Sequence, residues 1–287
     1  MVGSRFCELY QDRLIKTDFK GKISIYITKS NQVDYFFKRN SFEWLILFSA
    51  FTDVDAAEKQ REDKKGTCWQ INVNGAKNIV KACKKYKRKL IFISTDFVFD
   101  GSNGPYSEND ATGPDLNKVS WYGITKIESE KIIQESLSDF IILRIAYPYR
   151  AKFLAKDDIA KRILRFYGSG ELYPMFYDQK ITPTFIDDIP KAIELLIADN
   201  RNGIFHLASP ELTTQYEFAK YLIDLFEGDS KNLRKTSAKK FLKNPAATPR
   251  PVSGGLKVEK IRKIGFIPTN WKIGLEAIYE QSKGQLI

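Results

Sequence analysis

Residues 89–101 read Lys89-Leu90-Ile91-Phe92-Ile93-Ser94-Thr95-Asp96-Phe97-Val98-Phe99-Asp100-Gly101. A short apolar run feeds straight into a hydroxyl pair. A run apolar on both faces reads as a strand covered on both sides. Its hydroxyl end then lies at the carboxyl end of a strand, where open α/β sheets take their ligands. Similar runs stand at 22–27, 44–49 and 140–146. Between them the apolar residues recur at helical spacing. One set is Ile71, Ala76, Ile79, Val80, Ala82 and Cys83, and another is Trp121, Ile124, Ile127, Ile132, Ile133 and Leu137. Strands alternating with helices predict an α/β fold, a Rossmann-like doubly wound parallel sheet. After Pro148 the rhythm loosens. Helices are expected at 157–167, 188–198, 215–226 and 271–281, with a short extended piece at 203–207. The expected organisation is a dinucleotide-binding domain over 1–150, with 181–207 returning to it. A smaller mixed substrate-binding part covers 151–180 and 208–287.

Composition narrows the function classes. The chain has 287 residues, 43% hydrophobic and 13% aromatic, too apolar for disorder. The longest apolar run, 44–51 with Ser49 inside it, falls far short of the roughly 20 residues of a membrane span. No apolar h-region opens the chain, so a cytoplasmic protein is expected. Three cysteines without metal-like spacing and one histidine, His206, leave no metal site to predict. Any acid or base must come from Tyr, Lys, Asp or Glu. The net charge of +11 attracts polyanions. The lysine runs at 84–89 and 231–243 read as solvated faces, because no stacking aromatics or nucleic-acid motif accompany them. Neither a membrane nor a nucleic-acid partner is expected. Asp187-Asp188 reads as a helix N-cap pair, and His206, in an apolar run, as a core residue.

Tyr122 and Lys126 form Y-x-x-x-K, which on a helix means one shared face. A free tyrosine titrates near 10 and is a poor proton shuttle at neutral pH. An adjacent ammonium stabilises the phenolate. Lowering the phenol by about three units takes roughly 4 kcal/mol. General acid–base catalysis of this kind contributes about 10²–10⁴ in rate. The competing reading is a surface helix pair. The hydroxyl pair of 89–101 adds a group able to hydrogen-bond a carbonyl beside Tyr122. Upstream, Leu47-Phe48-Ser49-Ala50-Phe51-Thr52 ends a strand in small residues that admit a cofactor to the backbone. Asn72 reads either as an N-cap or as the group that holds the lysine.

With these stretches assembled, the chain resembles the extended short-chain dehydrogenase/reductase superfamily, and within it the dTDP-4-dehydrorhamnose reductases. The matching text is 51–58, Asn72-Val73-Asn74-Gly75, Ser94 to Gly101, Pro105-Tyr106-Ser107-Glu108, Tyr122-Gly123-Ile124-Thr125-Lys126 and Arg250-Pro251. The resemblance implies reduction of a nucleotide-linked 4-keto-6-deoxy sugar with NADP as cofactor, NAD being the alternative. By resemblance Thr95, Tyr122 and Lys126 are catalytic. Gly3, Ala50, Phe51, Thr52, Asn72, Tyr147 and Pro148 join Tyr122 and Lys126 in binding the cofactor. Phe97, Val98 and Arg250 bind substrate. Arg250 suits a phosphate, since a guanidinium fork matches that geometry; its alternative is a surface arginine. The partner is the nucleotide sugar, and a homodimer is compatible with the resemblance. Competing functions are an epimerase or dehydratase of the same superfamily, or a non-catalytic reductase-like regulatory subunit.

Several positions depart from that pattern. The 115–120 stretch is longer than the usual connection, Phe97 replaces a common tyrosine, and Arg150 stands where a glycine is common. The first strand and two glycines of the G-x-x-G-x-x-G turn are missing, and Gly3 fits the third. The expectation is that Met1 is an internal methionine or that the chain is a fragment. Dinucleotide affinity should then be weakened. Ile27-Thr28-Lys29 offers no carboxylate after the second strand. Lys29, unless merely an exposed loop lysine, meets a 2′-phosphate and points to NADP.

Overall fold

The computed structural model describes residues 1–10, 14–18, 23–152 and 155–287. Its centre is a four-stranded parallel sheet. The strands are β1 (Trp44–Leu47), β2 (Lys89–Thr95), β3 (Phe140–Ile145) and, after two short ones, β6 (Gly203–Leu207), in the order β1-β2-β3-β6. The short strands pair off outside it: β4 (Met175–Phe176) with β8 (Lys235–Thr236), and β5 (Lys180–Ile181) with β7 (Thr213–Thr214). Alternate side chains of each central strand enter two different cores. Ile91, Ile141 and Leu143 face one side, packed by the helices Val2–Leu9 and Asp188–Ala198. Leu90, Phe92 and Ile142 face the other, against Ser30–Arg39, Ala76–Tyr86 and Trp121–Ser136. Both faces are therefore covered, and the doubly covered α/β sheet read from the sequence is the observed one. A separate apolar cluster gathers the helices Ile159–Gly168, Gln215–Glu227 and Trp271–Ser282 around Tyr149, Phe218 and Trp271.

One expected strand is not formed. Lys22 lies outside the described residues. Among the described residues, the only ladder contact over 23–27 is an isolated bridge between Asp18 and Ser24. Ile25 and Ile27 pack against the sheet's core instead. The apolar period was right for burial, but a strand also needs a neighbour to pair with.

A polar chain crosses the sheet. Arg144 and Glu130, each 2% exposed, pair at 2.6 and 3.0 Å. The Arg144 guanidinium also reaches His206 Nε2 at 3.3 Å, and His206 Nδ1 faces the Lys257 carbonyl at 3.2 Å. That pattern makes Nε2 the acceptor and Nδ1 the donor, so the ring is neutral. His206 is a satisfied core residue, as its apolar run suggested. Burial and the Arg144 charge drive its pKa down to about 3. An unfolded histidine titrates near 6.5. Between those values the unfolded chain takes up a proton that the folded chain refuses. Stability should therefore fall as pH drops from about 6.5 toward 3. His206→Gln should flatten that decline, read from urea midpoints at about pH 7 and about pH 4.5.

Candidate active site

The site is built where β2 ends. Thr95 closes the strand and N-caps the 3₁₀ turn Asp96–Val98, its Oγ1 accepting the Phe97 N–H at 3.2 Å. The Trp121–Ser136 helix sits directly on that turn. A Cβ on Gly123 would lie 2.1 Å from the Phe97 carbonyl oxygen, so only glycine permits the approach. Ser120 caps the helix by accepting the Gly123 N–H. The first turn thus brings Tyr122 beside Thr95. The two rings Phe97 and Tyr122 meet edge to face, with centroids 6.1 Å apart.

Tyr122 and Lys126 are both buried, not exposed on a helix surface. Burial pushes the Tyr122 phenol above its usual value, and a hydrogen bond with the Thr95 hydroxyl opposes that rise. The expected lowering of Tyr122 by Lys126 is not the observed arrangement. Lys126 Nζ instead donates to the Ile93 carbonyl at 2.7 Å and lies 3.8 Å from the Phe92 ring centroid. Burial takes its pKa down to about 7, with Glu130 pulling the other way. Asp96 is also buried, and burial raises its carboxyl to about 7. Its Oδ1 accepts from Thr95 Oγ1 at 3.2 Å, while Oδ2 has no partner.

Asn72 does not cap a helix. It lies inside a π-helical stretch, Gln70–Gly75. Its side chain accepts from the Phe51 N–H (2.8 Å) and donates to the Phe51 carbonyl (3.1 Å) and Thr125 Oγ1 (2.9 Å). This clamp ties the loop after β1, with Ala50, Phe51 and Thr52, to the helix that carries Tyr122 and Lys126. Thr52 accepts from Lys156 Nζ at 2.6 Å. Gly3 lies in the first turn of the Val2–Leu9 helix, where a Cβ would press on the Phe48 ring at 3.0 Å. Arg150 is an anchor. Its guanidinium reaches the Met1 carbonyl, Ser4 Oγ and the Glu8 carboxylate. No side chain caps that helix. Its amino end therefore lies beside the loop leaving β3, and Lys156, on Thr52, acts electrostatically on the Met1 amine. A helix start with Arg150 and Lys156 beside it, among the carboxyl ends of parallel strands, fits a dinucleotide phosphate.

On the other wall, Tyr147 follows β3 with φ +42°, a left-handed conformation that costs a bulky residue about 1–3 kcal/mol. Its ring packs on Phe97 with centroids 6.1 Å apart, and its hydroxyl meets Gln179 Nε2 at 3.3 Å. Pro148 follows it, half-buried. Gln179 also donates to the Pro251 carbonyl at 2.9 Å, and its Oε1, like Asp96 Oδ2, has no partner. Arg250 comes in from the C-terminal part and grips Asp55 with one nitrogen at 2.6 and 2.8 Å. Val98, fully buried, points into the sheet's core, so Phe97 alone of that pair borders the tyrosines. Asp187 and Asp188 open their helix without capping it by side chain. Asp187 pairs with Arg5 and Gln281, and Asp188 accepts from Thr269. Lys29 is exposed at the start of the Ser30–Arg39 helix. Among the described residues no group of three or more His, Cys, Asp or Glu could hold a metal, and no helix is long and apolar enough to cross a membrane.

Sequence reasoning missed Asp96, Gln179 and Asp55. Asp96 had a signal, a carboxylate directly after the hydroxyl pair. The other two reach the site only through the fold.

The RmlD substrate binding domain model matches residues 1–283. The chain belongs to that family. A dTDP-4-dehydrorhamnose reductase of Sinorhizobium fredii is 29% identical over 79% of this chain and 76% of its own length. Methionine adenosyltransferase 2 subunit beta of Pongo abelii is also 29% identical, over 75% of this chain and 64% of its own. Among solved structures, the dTDP-4-dehydrorhamnose reductase of Bacillus anthracis in complex with NADP superposes with a TM-score of 0.83. It is 26% identical, with 98% of this chain and 94% of that chain covered. The RmlD family thus joins the turn at Thr95, the Tyr122 helix and the Arg250 arm in one continuous match.

Gly123→Ala tests how the site is positioned. Forcing a Cβ against a backbone oxygen should cost about 1–3 kcal/mol by thermal or urea unfolding. Any displacement of Tyr122 approaching 1 Å should lower kcat by about 10²-fold.

Proposed function

We propose that this chain reduces the 4-keto group of a nucleotide-linked 6-deoxy sugar, dTDP-4-dehydrorhamnose being the first substrate to test. The observation that carries this reading is the Tyr122 phenol buried against Phe97, on the turn that Thr95 caps at the end of β2. A phenol titrating above its usual range is fully protonated at neutral pH. It is therefore able to donate to a ketone oxygen as negative charge develops there. Thr95 would align that oxygen. Lys126, held near neutrality, would bind the ribose of the dinucleotide through its remaining N–H donors. A reduced nicotinamide bound beside Tyr122 would supply the hydride, with NADP favoured over NAD.

In this reading Gly3, Ala50, Phe51, Thr52, Asn72, Tyr147 and Pro148 border the dinucleotide, and residues 1–150 with 181–207 form its domain. Residues 151–180 and 208–287 hold the sugar nucleotide. Phe97 lines the sugar, and Arg250 exchanges Asp55 for a substrate phosphate. The RmlD family and its reductase relatives support this assignment.

The test is loss of the reduced-dinucleotide absorbance on mixing the protein with NADPH and dTDP-4-dehydrorhamnose. Tyr122→Phe should lower kcat by about 10²–10⁴. A Tyr122→Phe variant with full rate defeats the reading. The 29% likeness to a methionine adenosyltransferase subunit supports a second, non-catalytic reading. It requires no turnover of any 4-keto sugar nucleotide, and failure to bind any dinucleotide by calorimetry would favour it.

A further inference from the structure

Resting on the reductase reading, we propose that Gln179 selects the substrate, its side-chain oxygen accepting a hydrogen bond from a ring hydroxyl of the sugar. Gln179 is fully buried, yet its Oε1 has no hydrogen-bond partner among the described residues. Buried acceptors are almost always satisfied, so an unsatisfied one calls for a group that arrives later.

The amide cannot turn to satisfy itself. Nε2 donates to the Pro251 carbonyl at 2.9 Å and to the Tyr147 hydroxyl at 3.3 Å. A carbonyl carries no proton, so the atom facing Pro251 must be the nitrogen. Both N–H bonds are thereby spent, and the lone pairs of Oε1 are left over. Exchanging the two ends of the amide would set two carbonyl oxygens against each other. The backbone is fixed as well. The Lys180 N–H donates to the Val252 carbonyl at 2.8 Å, and β5, which starts at Lys180, pairs with β7. The acceptor is therefore held in place before any ligand arrives, the condition under which a hydrogen bond discriminates best.

Its two supports lead to the two ends of the substrate. Tyr147, on one side, packs its ring on Phe97, and Phe97 meets the Tyr122 ring. Pro251, on the other, follows Arg250, which the reductase reading gives to a substrate phosphate. Gln179 thus joins the wall that carries the proton donor to the arm that takes the phosphate. In a 4-keto-6-deoxy sugar nucleotide, the carbons between the phosphate-bearing carbon and the ketone are C2 and C3, and both carry hydroxyls. Release of Arg250 from Asp55 to the phosphate opens the way to the amide. Oε1 can only accept. It binds a hydroxyl and offers nothing to a hydrogen, ether or ester on the same carbon. The substrate class is then a 4-keto-6-deoxy sugar nucleotide with a free hydroxyl at C2 or C3.

The test compares dTDP-4-dehydrorhamnose with its 2-deoxy and 3-deoxy analogues, each with NADPH and the full chain. In wild type one of the analogues should lose about 10–10²-fold in kcat/KM. Gln179→Met, similar in length but without the amide, should lower kcat/KM for the parent by about that factor and bring parent and analogue to within about 3-fold of each other. A residue that only supports the fold would lower both alike and keep their ratio. Wild type that uses both analogues as well as the parent overturns the proposal, and so does a Gln179→Met variant that keeps the wild-type ratio. The wild-type comparison needs no variant, so it decides even where Gln179→Met folds poorly. Calorimetry with dTDP-rhamnose and its 2-deoxy and 3-deoxy analogues separates the two readings. If wild type reduces no 4-keto sugar nucleotide but binds one of these analogues about 10–10²-fold more weakly than dTDP-rhamnose, the reductase reading fails and Gln179 keeps its role. If it reduces none and binds all three equally, or none of them, the proposal fails as well.

Discussion

The site depends on one contact, that between Gly123 and the Phe97 carbonyl. Without a Cβ, the first turn of the Trp121–Ser136 helix rests directly on the turn that follows β2. Every other feature of the chemistry inherits its position from that approach. It sets Tyr122 beside Thr95, places Phe97 between two tyrosines, and closes the pocket that keeps the phenol protonated. The Asn72 clamp works from the other side, fixing the loop after β1 to the same helix.

The same burial accounts for three shifted groups. Tyr122 and Asp96 move up and Lys126 moves down, each toward its neutral form. A dry pocket penalises charge of either sign. Such a cluster is costly to the fold and useful to catalysis, because protons can be exchanged among groups none of which is held firmly as an ion. The structural ion pairs lie elsewhere. Arg144 with Glu130 supports the sheet beneath the site, and Arg150 and Arg5 anchor the first helix through Glu8 and Asp187. Their charges are compensated by close partners. Asp96, by contrast, has no ion-pair partner among the described residues, only the Thr95 hydroxyl on Oδ1.

Much of this was legible in the sequence. The runs at 44–49, 89–93, 140–146 and 203–207 gave the four central strands to within a few residues, because strands buried on both faces are apolar throughout. The four-residue spacing put Tyr122 and Lys126 on one helix face, since helical geometry is local. The run at 22–27 shows where periodicity stops being sufficient: it predicts burial, and burial occurs, but a ladder needs a partner from elsewhere. Asn72 shows the same limit for polar groups. Its place before a helical pattern suggested a cap, whereas its partners, Phe51 and Thr125, are distant in sequence.

What the sequence by itself determined is the alternation of elements and the chemical types gathered at the strand ends, both of which follow from local spacing and side-chain polarity. Only the tertiary structure decided which groups are paired and which are left alone. Arg250 has Asp55, Lys126 has the Ile93 carbonyl, and Arg150 has the first helix, while Asp96 and Gln179 each keep an oxygen without a partner. The reason is that a side chain's charge state depends on the dielectric and donors around it, and those come from chain segments that meet only on folding.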